Sequence, residues 1–440
     1  MALGRVAVGS MVANICSYLI HLTASRWWLD TADYGELAVG LSALLVLGVA
    51  ALAVQAVVAR AVVQHADRVA ISRVTWQTAA VVTVLAILIA PGLAVATSIG
   101  VGTALAAFAS VPLLVIVGAG QGVLQGRGAF RLLAWVLAGV GVLRTVPVLV
   151  ALAAGAGPTG ALIAGALGTG CAAILTTVAV RSAGPGRPPV QSSAHPAEPS
   201  LLDVAHACGV QLVLIVAASI DLLLSRTVLT PDAAGIYALG AIATKVAFWL
   251  PQAVGVVVYP RLADPATSRR ALTRAIGIVA AIGLTLTILT AIAGPLVPIV
   301  VRPDYRPLVG VLWIFAYTGG ALAVLQVALL SGIARRDTRI AWLTWIVVGA
   351  EILVILTLAH SVVTLALTAA IAATVAAAAT VGSVLWRDRR VRRSAPGSSQ
   401  AGQPSPRPPI RIDEAESGDH RREAGDGCQR RDDDAPHGDG

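Results

Sequence analysis

Long apolar runs separated by short polar breaks recur along the first 386 positions of the chain. A run of about 20 apolar residues is the length that carries a helix across the hydrocarbon of a bilayer. The pattern predicts such helices at 6–24, 37–59, 74–97, 100–125, 131–154 and 160–180, then at 204–224, 235–258, 275–300, 308–333, 340–359 and 361–386. The two groups of six define lobes at 1–180 and 201–386. Between them, 181–200 reads RSAGPGRPPVQSSAHPAEPS, a Pro-, Gly- and Ser-rich tether. The tail, 387–440, opens on a basic run. From 394 onward it holds almost no large apolar residue, so it is expected to be disordered.

Composition agrees with a lipid solvent. Only 12% of residues are charged and 57% are hydrophobic, with a mean hydropathy of +0.80. A soluble domain carries roughly 25% charged residues. The net charge of +9 does not point to nucleic acid, because the arginines sit in short breaks between apolar runs and no recognition helix or aromatic–basic interleave is present. Cys16, Cys171 and Cys208 lie in apolar runs and Cys428 in the tail, without metal-ligand or disulfide spacing. No metal and no cofactor is expected.

Arginine placement orients the chain. With Arg5 inside, the even-numbered breaks hold 14 arginines: Arg60, Arg68, Arg73, Arg127, Arg131, Arg181, Arg187, Arg261, Arg269, Arg270, Arg274, Arg335, Arg336 and Arg339. The odd-numbered breaks hold four, Arg26, Arg226, Arg302 and Arg306. The positive-inside rule then puts both termini in the cytoplasm. The first run follows Arg5 and ends in Thr23-Ala24-Ser25, yet it is long for a signal peptide, and it is expected to stay as a span.

An internal repeat supports the two lobes. SRWWLDTADYGELAVG (25–40) aligns without a gap on SRTVLTPDAAGIYALG (225–240). Ser25/Ser225, Arg26/Arg226, Leu29/Leu229, Gly35/Gly235 and Gly40/Gly240 coincide. LQGRGAFRLLAW (124–135) matches LSGIARRDTRIAW (330–342) with one insertion. Six spans per repeat is an even number, so the lobes enter the membrane in the same direction, as parallel repeats do in transporters.

Several segments carry a resemblance. They are Ser25-Arg26-x-x-Leu29 followed by Ala-Asp-Tyr-Gly-Glu at 32–36, and Asp221-Leu-Leu-Leu-Ser-Arg226 followed by Ala-Gly-Ile-Tyr at 234–237. To these add Lys245-Val-Ala-Phe-Trp-Leu-Pro251 leading to Tyr259-Pro260-Arg261, and Leu124-Gln-Gly-Arg127. In these the chain, over about 1–386, resembles the multidrug/oligosaccharidyl-lipid/polysaccharide (MOP) flippase superfamily and its bacterial polysaccharide-biosynthesis branch. The resemblance implies an all-α, V-shaped, MATE-like transporter of the cytoplasmic membrane. It would move a polyprenyl-diphosphate-linked oligosaccharide by alternating access, as a monomer, with H+ or Na+ as the coupling ion where one is used. Lipid II flippases resemble members with fourteen spans, whose extra pair offers a groove for the lipid tail. Twelve spans here weigh against lipid II itself.

Ionisable residues inside spans are the candidate site, since each is costly there unless paired or facing water. Arg144 is mid-span in VGVLRTVPVL, Lys245 mid-span in the eighth run, Asp221 near the outer end of the seventh and Glu351 mid-span in the eleventh. Arg144 and Lys245 suit a diphosphate, the first through the guanidinium fork. Each can equally belong to a structural pair, with Asp221 the expected partner of Lys245. Asp221 and Glu351 can instead carry a coupling ion. Arg26 and Arg226, at the outer ends of symmetry-related spans, suit a gate or an anion funnel, or pair with Asp30, Asp33 or Asp232. His21 and His206 read as span-end residues. Gly118, Gly122 and Gly126 share a face with Gln121 and Gln125 beside it, a helix-packing pattern. Prolines 91, 112, 147, 251, 295 and 298 mark kinks.

Two other functions compete. A cation-coupled multidrug exporter shares the fold, but the first lobe's spans hold no carboxylate. A membrane glycosyltransferase or polymerase would use loop carboxylates such as Asp30, Asp33 and Glu36. The external loops are too short to hold an acceptor, so the chain is not expected to be an enzyme.

Overall fold

Lipid offers no partner to a backbone amide, so each apolar run must satisfy its own N–H and C=O groups, and it does so as helix. The computed structural model describes residues 2–184, 198–249, 268–334 and 339–394. The first half contains α1 (Ala2–Thr23), prolonged by a π-helical turn (Ala24–Trp28), then α2 (Thr31–Leu47), α3 (Val49–Val63), α4 (Arg68–Thr97), α5 (Val101–Gly126), α6 (Phe130–Ala153) and α7 (Pro158–Ser182). The second contains α8 (Leu201–Ala217), α9 (Ile220–Val228), α10 (Pro231–Trp249) and α11 (Ser268–Ala293), the last followed by short turns at Gly294–Leu296, Val297–Val300 and Pro303–Leu308. It closes with α12 (Leu312–Ala334), α13 (Arg339–Leu358) and α14 (Val362–Ser394). Among the described residues there is no strand.

The helices α2 and α3 form one broken span, as do α8 and α9, so each of the twelve expected positions holds helix where its residues are described. Among the described residues ten helices are long and apolar enough to cross a membrane, and Trp342–Leu358 is a shorter apolar one. Several boundaries differ from the expectation; α4 and α11, for example, start at Arg68 and Ser268 rather than at 74 and 275. The second span starts at Thr31 rather than 37, because Asp30 caps it by accepting the Asp33 amide at 2.7 Å. The last helix runs on through the basic stretch to Ser394. The middle of the tether, the end of the eighth span with Pro251 and Arg261, the arginines at 335 and 336, and the tail from 395 lie outside the described residues.

Glycine governs the packing of the first half. A Cβ on Gly118, Gly122 or Gly126 would stand 2.3, 2.5 or 2.8 Å from the carbonyls of Ala51, Gln55 or Ala59, so these three let α5 lie directly on α3. Beside them Gln55 Nε2 donates to Gln125 Oε1 at 3.3 Å, and Gln121 is buried. The expected packing face is therefore the α3–α5 seam. Helix α6 is clamped from both sides. A Cβ on Gly141 would stand 2.6 Å from Ala13 Cα of α1, and one on Gly168 of α7 would stand 2.1 Å from the Leu143 carbonyl.

Met1–Arg390 forms one compact unit that includes both halves. Its central apolar cluster draws Ile20, Tyr34, Leu37 and Val148 from the first half, and Leu222, Tyr237, Tyr305, Phe315 and Ile355 from the second. The core therefore lies across the line relating the repeats, and polar groups are set into it.

Candidate functional site

In the register of the repeat, His21 corresponds to Asp221, and both are buried. Each reaches a buried tyrosine on the next helix. The His21 Nδ1 lies 3.2 Å from Tyr34 Oη, and Tyr237 Oη donates to Asp221 Oδ2 at 2.5 Å. Ser25 and Ser225, one turn further on, are fully buried and bind their own helix backbone at the carbonyls of His21 and Leu222 (2.8 and 2.7 Å). The repeat thus builds the same scaffold twice and places a base in one copy and an acid in the other.

Lys245 does not pair with Asp221 as expected. Its Nζ donates across the halves to Ser42 Oγ of α2 at 3.1 Å, and no ion pair joins it to Asp221. Ser42, on the facing helix, supplies the acceptor that Lys245 reaches, and the Asp221 carboxylate instead accepts from Tyr237. A cavity lies beside Lys245, lined by Leu45, Ile215, Ser219, Thr244, Phe248 and Trp249 among others. Leu45 and Lys245 are repeat mates and both line it, and Ser219 marks the break between α8 and α9. The Ser219 hydroxyl is fully buried without a partner.

Arg144 sits elsewhere, on α6, and does not line that cavity. It occupies the face of α6 that carries the buried Gly141, Val148 and Leu152, while Trp135, Val142, Val146 and Val150 form the exposed face. Among the described residues no hydrogen bond or ion pair engages its guanidinium. Glu351 of α13 is buried and likewise has no such partner among them. His206, near the start of α8, is exposed.

The arginine-poor end of the bundle is sealed by contacts between the halves. Gly35 of α2 and Gly235 of α10 lie back to back. A Cβ on Gly235 would stand 1.7 Å from the Thr31 carbonyl oxygen, and one on Gly35 3.0 Å from the Gly235 nitrogen. Arg26 donates through Nη1 to the carbonyls of Ile299 (3.0 Å), Val300 and Val301 (2.8 Å). Arg226 donates to Ala32 O (2.8 Å), Thr97 O (3.2 Å) and Ser98 O (3.3 Å). Arg302 donates to Leu29 O at 2.9 Å and pairs with Asp304 at 2.8 Å. Of the expected partners of Arg26 and Arg226, Asp30 caps α2 and Asp232 accepts from the Thr31 hydroxyl, while Asp33 makes no ion pair with either arginine. The carbonyls of Thr97 and Ser98, at the C-terminal end of α4, carry unsatisfied partial negative charge and so accept from a guanidinium, whereas Ala32 lies in the first turn of α2.

Arg26, Arg226, Arg144, Lys245, Asp221 and Glu351 were expected from the sequence as candidates, whereas Ser42, Tyr34, Tyr237 and Ser219, which the structure sets beside some of them, were not. His21 opposite Asp221 in the repeat register was the available signal for the two tyrosine pairs.

No family model matches the chain, and no curated protein matches it by sequence. Its fold is nonetheless that of known structures. An inward-facing multidrug resistance MATE family transporter of the MOP superfamily aligns over 90% of this chain and 100% of its own, with a TM-score of 0.69 at 14% identity. An outward-facing one aligns over 90% and 97%, with a TM-score of 0.58 at 15% identity. The lipid II flippase MurJ, in an inward closed conformation, aligns over 87% and 88%, with a TM-score of 0.63 at 11% identity. Over its described residues the chain is all-α, a multi-pass membrane protein with the fold of these transporters.

Proposed function

We propose that the protein is a transporter of the cytoplasmic membrane that flips a polyprenyl-diphosphate-linked oligosaccharide by alternating access, with both termini inside. The observation that carries this reading is Arg144. A guanidinium held mid-span on an interior helix face, clamped in place by Gly141 and Gly168 and engaged by no protein acceptor among the described residues, needs a ligand or water to be tolerated there. A diphosphate, with several acceptor oxygens, suits the guanidinium fork. Lys245 supplies a second interior cation, and its bond to Ser42 is one that a phosphate oxygen can replace.

A second reading has its own observation. Glu351 and Asp221, both buried in the second half, suit cation-coupled export of an organic cation. Depleting the protein and identifying what accumulates on the inner leaflet separates the two. A lipid-linked saccharide supports the flippase; normal lipid-linked pools together with increased retention of organic cations support the exporter.

A further inference from the structure

Arg26 and Arg226 are repeat mates, and their contacts are reciprocal. Arg26 belongs to the first half and holds the carbonyls of 299–301, at the short helical turn Val297–Val300 that closes the apolar stretch Leu272–Val300 of the second half. Arg226 belongs to the second half and holds Thr97 and Ser98, where α4, the third span of the first half, ends. The last-turn carbonyls of a helix have no intrahelical donor, and they form the negative end of its dipole. Arg226 therefore caps the terminus of α4, and Arg26 holds the turn that follows α11, each through charge-assisted bonds to the opposite half.

The acceptors are shaped for this. Ser98 has φ +52°, a left-handed conformation that is unusual for a residue with a side chain. Its carbonyl and that of Thr97 both reach Arg226. Thr227, next to Arg226, adds a hydroxyl bond to Ala96 O at 2.6 Å. On the other side, Arg302 returns a bond to Leu29 O across the same seam.

We propose that Arg26 and Arg226 are a pair of reciprocal latches that lock the arginine-poor mouth shut by holding the end of the third span of the opposite lobe. Both sets of bonds link separate lobes, so opening that mouth must break them together. Their loss shifts the population toward the state open at that end. The proposal rests on the transporter reading above but not on its substrate, and the following test contains no substrate, so it can fail while that reading stands.

Gly157 and Gly310 lie in loops of opposite halves, both exposed and with open space where a Cβ would stand. Spin labels at Gly157→Cys and Gly310→Cys, with the native cysteines replaced, report the width of the mouth in the full-length chain in lipid nanodiscs. The parent should give a narrow, short distance distribution. Arg26→Gln and Arg226→Gln should each raise a longer-distance population about tenfold, and the double change should raise it further. Arg26→Lys with Arg226→Lys should widen the mouth less, because an ammonium keeps the charge but loses the fork. A double glutamine variant that is folded and monodisperse, yet has the parent distribution, overturns the proposal. If that variant does not fold, the lysine pair decides: a wider distribution supports the latches and an unchanged one overturns them.

Discussion

The two halves share a fold and a register, and they differ in what that register holds. Features retained in both copies are mechanical. Gly35 and Gly235 meet at the seam, Ser25 and Ser225 bind their own helices, and Arg26 and Arg226 hold the opposite half. Features that differ are chemical. His21 corresponds to Asp221 and Leu45 to Lys245 in the register, and Arg144 of the first half contrasts with the carboxylate of Glu351 in the second. A repeat of this kind separates what closes the molecule from what the molecule handles, because symmetry serves the first and would only duplicate the second.

The largest effect is expected where the halves differ most. Arg144→Gln should reduce transport at least ~30-fold, as loss of one partner in a buried charge contact does, while abundance stays normal. Arg144→Lys should restore part of it. Full transport of the lipid-linked substrate by the glutamine variant at wild-type abundance would remove Arg144 from the site and leave the interior charges as packing.

The glycine pair tests the shared part. A methyl at Gly235 meets a backbone oxygen at 1.7 Å, but one at Gly35 meets backbone at 3.0 Å, so the same substitution is not equivalent in the two copies. Gly235→Ala should destabilise the closed form by about 2 kcal/mol and Gly35→Ala by about half that, read from the same label pair or from thermal unfolding in detergent. Equal losses would mean that the seam relaxes as one body.

The tyrosine pairs come next. Tyr34→Phe removes a neutral hydrogen bond to His21, about 1 kcal/mol, whereas Tyr237→Phe removes a donor to Asp221, about 2 kcal/mol if the carboxylate is charged. Equal values would show that Asp221 is held protonated, which would sharpen the choice between a structural acid and one that carries a proton.

The fold was legible because lipid imposes a coarse rule. Every span must be long, apolar and internally hydrogen-bonded, and arginine breaks mark its ends. The packing face of Gly118, Gly122 and Gly126 was legible too, since close approach of backbones requires small residues at that spacing. The site was legible only as a set of charges. What Arg26 and Arg226 bind is backbone carbonyl, and a carbonyl has no residue type to betray it. Lys245 was matched to Asp221 on charge alone, when a serine on the opposite half and a tyrosine on its own helix divide those roles. Pairings across a repeat axis depend on which helices face each other, and that is settled by packing.

The smallest effect is expected at the start of the second half. Ser200 and Asp203 form a capping box for α8: the Asp203 amide donates to Ser200 Oγ at 3.3 Å, and the Ser200 amide donates to Asp203 Oδ2 at 2.9 Å. The Ser200 hydroxyl also donates to that carboxylate at 2.7 Å. The first half has no such box, for α1 carries no acid in its first turn. These bonds hold the Asp203 carboxyl below its ordinary value, so folding favours the ionised form. The stabilisation is complete above the ordinary carboxylate range, near 4, and it is lost as the pH falls through the lowered value. Ser200→Ala should therefore cost about 1 kcal/mol of local helix stability at neutral pH, read as faster hydrogen exchange at the amides of 202–204. The difference from wild type should shrink in acid as Asp203 protonates. Exchange that is unchanged at neutral pH would show that α8 is held by its packing on α3 alone, leaving the box without a measurable part in where the second half begins.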